Sequence, residues 1–134
     1  MTVIKSISGI RGTVGGSLTD GFNPLTIAHF VVGYAQHIKL YESISRPTIV
    51  VGRDARLSGE MVQQVVIGTL LGMGCDVINI GLATTPTTEM AVLGHRADGG
   101  IIITASHNPI QWNALKFLGS DGTFLNVDRG NEVL

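Results

Sequence analysis

With 134 residues, the chain has the length of one ordinary domain. Hydrophobic residues make up 44% and charged residues 14%, the reverse of the balance that leaves a chain disordered. Nine Lys+Arg against ten Asp+Glu leave a net charge of -1, so no basic surface for nucleic acid is expected, and no apolar run approaches a membrane span.

In chain order, Ile4 to Ile7 reads as a short first strand, and Ser8 to Ser17 reads as a glycine-rich loop. Asn23-Pro24 supplies an N-cap and a proline at the first helical position. Ile27, Phe30, Val31, Tyr34 and Ile38 then follow helical spacing to about Leu40. Pro47 to Gly52, around Ile49-Val50-Val51, suits a strand buried on both faces. Ser58 is placed to cap a second helix carrying Met61, Val62, Val65, Val66 and Leu70, with a left-handed stop at Gly72-Met73-Gly74. The single cysteine, Cys75, excludes an internal disulfide and a cysteine-rich zinc cage. It reads as a small buried hydrophobe before a buried strand, Val77 to Ile80. Thr85-Pro86 opens a third helix ending near Gly94, and Ile101-Ile102-Ile103 is a third buried strand. Leu115 to Leu118 and Thr123 to Leu125 read as a hairpin around Asp121-Gly122.

This alternation predicts a three-layer α/β/α domain with a mixed, mostly parallel sheet and right-handed crossovers. Ligands of such sheets meet the loops at the carboxyl ends of the strands. Three loops are therefore expected in one region: Gly52 to Arg56, Gly81 to Thr85, and Thr104 to Pro109. The last four residues, Asn131 to Leu134, carry no helix stop or cap, which reads as a piece of a longer chain. Met1 to Lys5 does not open a secretory signal, and a reducing cytoplasm suits the lone cysteine.

The loop after Ile103 concentrates the chemistry. Thr104-Ala105-Ser106-His107-Asn108-Pro109 sets hydroxyl, imidazole and amide groups just past a buried strand. A serine there can attack or carry a phosphoryl group, and a phosphoserine would need cations or a metal nearby. His107 and Lys116 are close in sequence, and Arg11 and Arg53 lie in segments that can converge. The plainer alternative is a turn whose polar groups cap the backbone, with Lys116 solvated on an edge strand and Arg11 on a surface loop. His29, His37 and His95 read as packing or surface residues. No Walker loop, dinucleotide fingerprint or hydrolase elbow is present, and no His/Asp/Glu cluster has metal-ligand spacing.

These residues resemble the α-D-phosphohexomutases, the family of phosphomannomutase/phosphoglucomutase and phosphoglucosamine mutase. Thr104 to Pro109 resembles the phosphoserine loop, Ser8 to Gly12 the G-I-R-G loop, and Gly52 to Gly59 the G-R-D-x-R-x-S-G segment. Thr84 to Thr87 resembles the T-P loop, and Asn113 to Phe117 the N-G-x-K strand, with Ala114 at the glycine position. The resemblance implies that Ser106 carries the phosphoryl group and passes it to a hexose phosphate, with mannose, glucose or glucosamine as the sugar. The bisphosphate turns over and returns its other group, for net transfer between the 1- and 6-positions. It further implies that Ser106 gives Mg²⁺ one ligand, that His107 and Lys116 assist proton transfer and charge stabilisation, and that Arg11 lies near the serine.

Arg53 and Asp54 are expected to form a structural ion pair or loop anchor. Thr104 and Trp112 point towards the phosphomannomutase/phosphoglucomutase side. The family has four domains, and its D-G-D-x-D-R metal loop is absent here. Residues 1–134 would be domain 1 alone, inactive by itself, with the remaining domains of its own chain as partners. The alternative class is a non-catalytic α/β module that binds an anion or a partner through the same loops. A serine hydrolase is a third reading, disfavoured by the missing elbow and by Ser106 and His107 being sequence neighbours.

Overall fold

The computed structural model describes residues 4–6, 9–15, 21–104, 111–126 and 128–130. Among these residues, six strands and three helices run in the order β1 (Ile4–Ser6), β2 (Gly9–Thr13), α1 (Pro24–Glu42), β3 (Thr48–Arg53), α2 (Gly59–Gly72), β4 (Asp76–Leu82), α3 (Thr85–Gly94), β5 (Gly99–Ile103) and β6 (Trp112–Leu118). The strands form one mixed sheet, ordered β1-β2-β6-β5-β3-β4. The pairs β3–β4 and β3–β5 are parallel. The pairs β1–β2, β2–β6 and β5–β6 are antiparallel. The antiparallel share is larger than the strand–helix alternation suggests, because β6 pairs antiparallel with β5 and β2 pairs antiparallel with β6.

The layers follow from side-chain alternation along the strands. Ile49 and Val51 of β3, Ile101 and Ile103 of β5, and Leu115 and Phe117 of β6 join α1 and α2 in the larger core. Val50, Ile102 and Leu118 face the other way and pack with Val92 of α3 and Ala97. The strand at β5 is buried along its whole length, as a central strand covered on both faces should be.

The caps read from sequence are largely present. Asn23 and Thr26 form a reciprocal box: Thr26 N–H donates to Asn23 Oδ1 at 3.1 Å, and Asn23 N–H donates to Thr26 Oγ1 at 3.0 Å. The five apolar positions named for this helix are all buried, and α1 runs two residues past Leu40. Gly74 takes the left-handed conformation that stops α2, with φ 81°. Cys75 is buried. His37 is buried as the acceptor of Arg129 Nε, at 2.9 Å, whereas His29 and His95 are not buried.

Four local expectations are corrected. The segment assigned to a glycine-rich loop contains β2: Ile10 is buried and Arg11 is exposed, the alternation of a paired strand. Strand β4 is an edge, with Asp76, Asn79 and Leu82 exposed, because nothing among the described residues pairs beyond it. Ser58 makes no side-chain cap; its hydroxyl instead accepts from Asn113 Nδ2 at 2.9 Å. The turn at Asp121-Gly122 forms, but the return strand is reduced to one bridge, Leu118 to Phe124, because β6 spends its edges on β2 and β5.

Tyr34 joins α1 to the sheet. Its ring stacks on Phe117 with centroids 4.8 Å apart. Its hydroxyl accepts from Gly100 N–H at 2.9 Å and donates to the Leu118 carbonyl. A Cβ at Gly99 would lie 2.1 Å from that hydroxyl, so only glycine admits the contact. Burial is the main cause that holds the phenol proton well above the ordinary value near 10.

A phenol that keeps its proton when folded and loses it when unfolded lowers stability as pH rises. The expected loss begins near pH 10 and reaches up to about 1.4 kcal/mol per pH unit. Tyr34→Phe removes this slope. At neutral pH it costs about 1–3 kcal/mol through the unmet Gly100 N–H. Urea unfolding of both proteins at neutral and strongly alkaline pH checks both effects, and an unchanged alkaline slope in the variant would refute the assignment.

Candidate functional site

The parallel strands end their carboxyl termini side by side, and of the third expected loop, Thr104 to Pro109, residues 105–109 lie outside the described residues. Asp54 N–H donates to the Ile103 carbonyl at 3.0 Å, and Ala83 N–H donates to the Arg53 carbonyl at 3.0 Å. The loop after β3 thus meets the end of β5, and the loop after β4 meets the end of β3. Helix α3 starts there, with Thr84 Oγ1 capping Thr87 N–H at 3.2 Å behind Pro86.

The loop after β3 is organised by Asp54. Its Oδ1 accepts Arg56 N–H at 3.1 Å, the local turn that aspartate favours. Its Oδ2 accepts Thr104 Oγ1–H at 2.7 Å and faces Arg56 Nε at 3.3 Å. Arg56 Nη1 continues to the Trp112 carbonyl at 3.3 Å. The expected pair of Arg53 with Asp54 is corrected: Arg53 Nε donates to Gln63 Oε1 of α2 at 3.2 Å and its Nη1 to the Asp54 carbonyl at 3.3 Å. Arg53 is the outermost residue of β3 and reaches along α2, while Arg56 folds back over Asp54. The anchoring role holds; the partner of the carboxylate differs. Arg56 was legible only as a motif letter, although aspartate two residues before it is the usual signal of such a turn.

Arg11 and Lys116 come together through the β2–β6 ladder. Arg11 lies opposite Ala114, and Gly9 lies opposite Lys116. Ala114 and Lys116 point to the same face, so the two cations are diagonal neighbours, a separation of about 7–8 Å between backbones. That face is the one opposite α1 and α2, because the intervening Ile10 and Leu115 point into the larger core. Lys116 also lies opposite Ile102 of β5, one residue inside the point where the chain leaves that strand. Its ammonium stands 6.0 Å from the Phe124 ring centroid. The edge-strand alternative for Lys116 is overturned, since β6 is paired on both sides.

Asn113 is fully buried, donates to Ser58 Oγ and accepts Ala114 N–H at 2.9 Å, fixing the start of β6 to the start of α2. Ala114, at the position where glycine was expected, is also buried. Ser106 and His107 lie outside the described residues.

Among the described residues, no group of three or more His, Cys, Asp or Glu side chains could hold a metal ion. The Asp54 carboxylate is engaged by Arg56 and Thr104. No helix among the described residues is long and apolar enough to cross a membrane.

Residues 3–134 match the family model described as phosphoglucomutase/phosphomannomutase, alpha/beta/alpha domain I. A phosphoglucomutase/phosphomannomutase of Thermococcus kodakarensis is 49% identical over 88 residues, 66% of this chain and 19% of that protein. A phosphoglucosamine mutase of Leuconostoc citreum is 39% identical over 125 residues, 93% of this chain and 27% of that protein. A Thermus thermophilus crystal structure, provisionally described as a phosphomannomutase, superposes with a TM-score of 0.85 at 28% identity, covering 99% of this chain and 29% of that one. The chain thus spans about a quarter or less of the length of these curated relatives.

Proposed function

Since this chain belongs to the phosphoglucomutase/phosphomannomutase family, as its α/β/α domain I, we propose that it is the phosphoserine-bearing domain of a hexose-phosphate mutase. The full enzyme moves a phosphoryl group between the 1- and 6-positions of a phosphosugar. The observation that carries this reading is the placement of Arg11 and Lys116 as diagonal neighbours on one sheet face, with Lys116 beside the end of the strand that leads to Ser106.

The Ser106 hydroxyl is the way-station. The bond from phosphorus to its Oγ breaks as the bond to a sugar hydroxyl oxygen forms, and the hydroxyl proton leaves to a base. The bisphosphate turns over, and its other phosphoryl group returns to the same oxygen. His107 serves the proton transfer, Lys116 stabilises charge at the reacting hydroxyl, and Arg11 supports the field around the serine. A phosphoserine brings roughly two negative charges. Two cations on the adjoining face are the electrostatic setting it requires. The sugar is a mannose, glucose or glucosamine phosphate, as the names of the relatives suggest.

Mg²⁺ belongs to the reading, as neutralising charge for phosphoryl transfer. The described residues do not form its site. Ser106 would contribute a single oxygen, and the remaining ligands belong to other domains of a four-domain, cytoplasmic protein of which this is domain 1.

Intact-mass analysis of the full-length polypeptide from cells tests the central step. One added phosphate, mapped to Ser106, is expected. The 134-residue chain alone is expected to show no mutase turnover, since its sequence carries neither the family's metal loop nor a substrate-phosphate clamp. Absence of phosphate from every fraction of an active enzyme would overturn the serine assignment; turnover by this chain at the rate of the full-length enzyme would overturn the division of labour.

A further inference from the structure

We infer that Arg56, acting through Asp54 and Thr104, is a positioning residue for Ser106; the inference rests on Ser106 being the phosphoryl carrier. Residues 105–111 connect Thr104 to Trp112 and include that serine. Both stems of the connection are held by one chain of side-chain bonds. Thr104 Oγ1 donates to Asp54 Oδ2, Arg56 Nε faces the same oxygen, and Arg56 Nη1 donates to the Trp112 carbonyl. The tie runs from the last residue before the segment, through the neighbouring loop, to the first residue of β6.

The Arg56 side chain is 12% exposed and that of Asp54 30%. A nearly buried guanidinium gives back little net stability after its desolvation, so its value here is geometric. The backbone already joins the stems, with Thr104 N–H on the Ala114 carbonyl at 3.1 Å. The side-chain tie adds a second constraint, and it comes from β3, the strand central to the parallel half of the sheet. A group that donates and receives phosphoryl on each cycle gains from stems that do not shift. Asp54 also meets the charge of Arg56, so the guanidinium holds the Trp112 carbonyl without adding net charge there.

The test uses the full-length polypeptide and three variants: Thr104→Val, which keeps shape and loses the donor; Thr104→Ser, which keeps the donor; and Arg56→Lys, which keeps charge and loses the fork. Ser106 phosphate, kcat, KM and melting temperature are measured for each. Thr104→Val and Arg56→Lys should lower kcat on the order of tenfold to a hundredfold. KM should stay within about twofold, and Thr104→Ser should recover kcat to within about twofold of the parent. Parental kcat in the folded fractions of Thr104→Val and Arg56→Lys, with Ser106 phosphorylated, overturns the positioning role and leaves the serine reading standing. So does Thr104→Ser failing as badly as Thr104→Val. An active parent without phosphate on Ser106 overturns both. If Arg56→Lys fails to fold, the two threonine variants decide.

Discussion

Ser106→Ala in the full-length polypeptide should abolish the phosphate on this domain and lower mutase turnover by about four orders of magnitude. The expected size follows from what the hydroxyl does in the proposed cycle. Without it the enzyme has no internal acceptor for the phosphoryl group, and the remaining route is direct transfer between two sugars or to water. Binding and charge stabilisation by the rest of the site survive, so KM for the sugar phosphate should change far less than kcat. Steady-state kinetics of the purified variant, with the phosphate followed by intact mass, measures both. A variant retaining more than about a tenth of parental kcat would end the proposed role of the serine, since removal of a covalent carrier leaves far less than that. The parent protein should resist labelling by a fluorophosphonate probe. A hydrolase-type serine is activated by an oriented base, and the adjacent His107 is badly placed in sequence to be one.

Gly9→Ala should destabilise the domain by about 2–4 kcal/mol and lower its melting temperature by roughly ten degrees. Gly9 pairs with Lys116 and has φ 158°. A Cβ there would lie 1.9 Å from the Leu115 carbonyl oxygen and 2.9 Å from the Lys116 Cα. Both are backbone atoms of β6, so no rotamer change relieves the contact, and β2 must lift away from its neighbour. Arg11, two residues further along, is carried with it, so the full-length enzyme should lose activity as well as stability. The comparison is Gly68→Ala, in α2, where a Cβ meets nothing within 4 Å. That change should stabilise by about 0.5–1 kcal/mol, because alanine loses less backbone freedom than glycine on entering a helix. Thermal and urea unfolding of the two variants separates a local strain from a general intolerance of alanine. Equal melting temperatures for Gly9→Ala and the parent would show that β2 is not held where described.

The contrast between these glycines shows where reading the chain residue by residue succeeds. Helix α1 was legible to within two residues of its end, because Asn23 and Pro24 are local signals and Ile27 to Ile38 repeats with the helical period. Strands β3 and β5 were legible because β-branched residues run without polar interruption. Strand β2 was missed, since Gly9 and Gly12 carry no side-chain pattern and their reason lies on a distant strand, β6. Strand β4 was assigned to the interior from the same apolar letters that β3 shows, because composition does not say which strand has a second neighbour. The site divides the same way. Arg11, Lys116, Ser106 and His107 were named from the motif, while the partnership of Asp54 with Arg56 needed the fold of the loop.

Local sequence alone determined the helices, most of their caps, the apolar strands of the parallel half and the family motifs, because period, cap chemistry and spacing act over a few residues. Tertiary structure decided which strands pair antiparallel, which strand is left at the edge, and that Arg11 and Lys116 share a face. Those outcomes depend on contacts between distant segments, whose energies no single stretch of the chain contains.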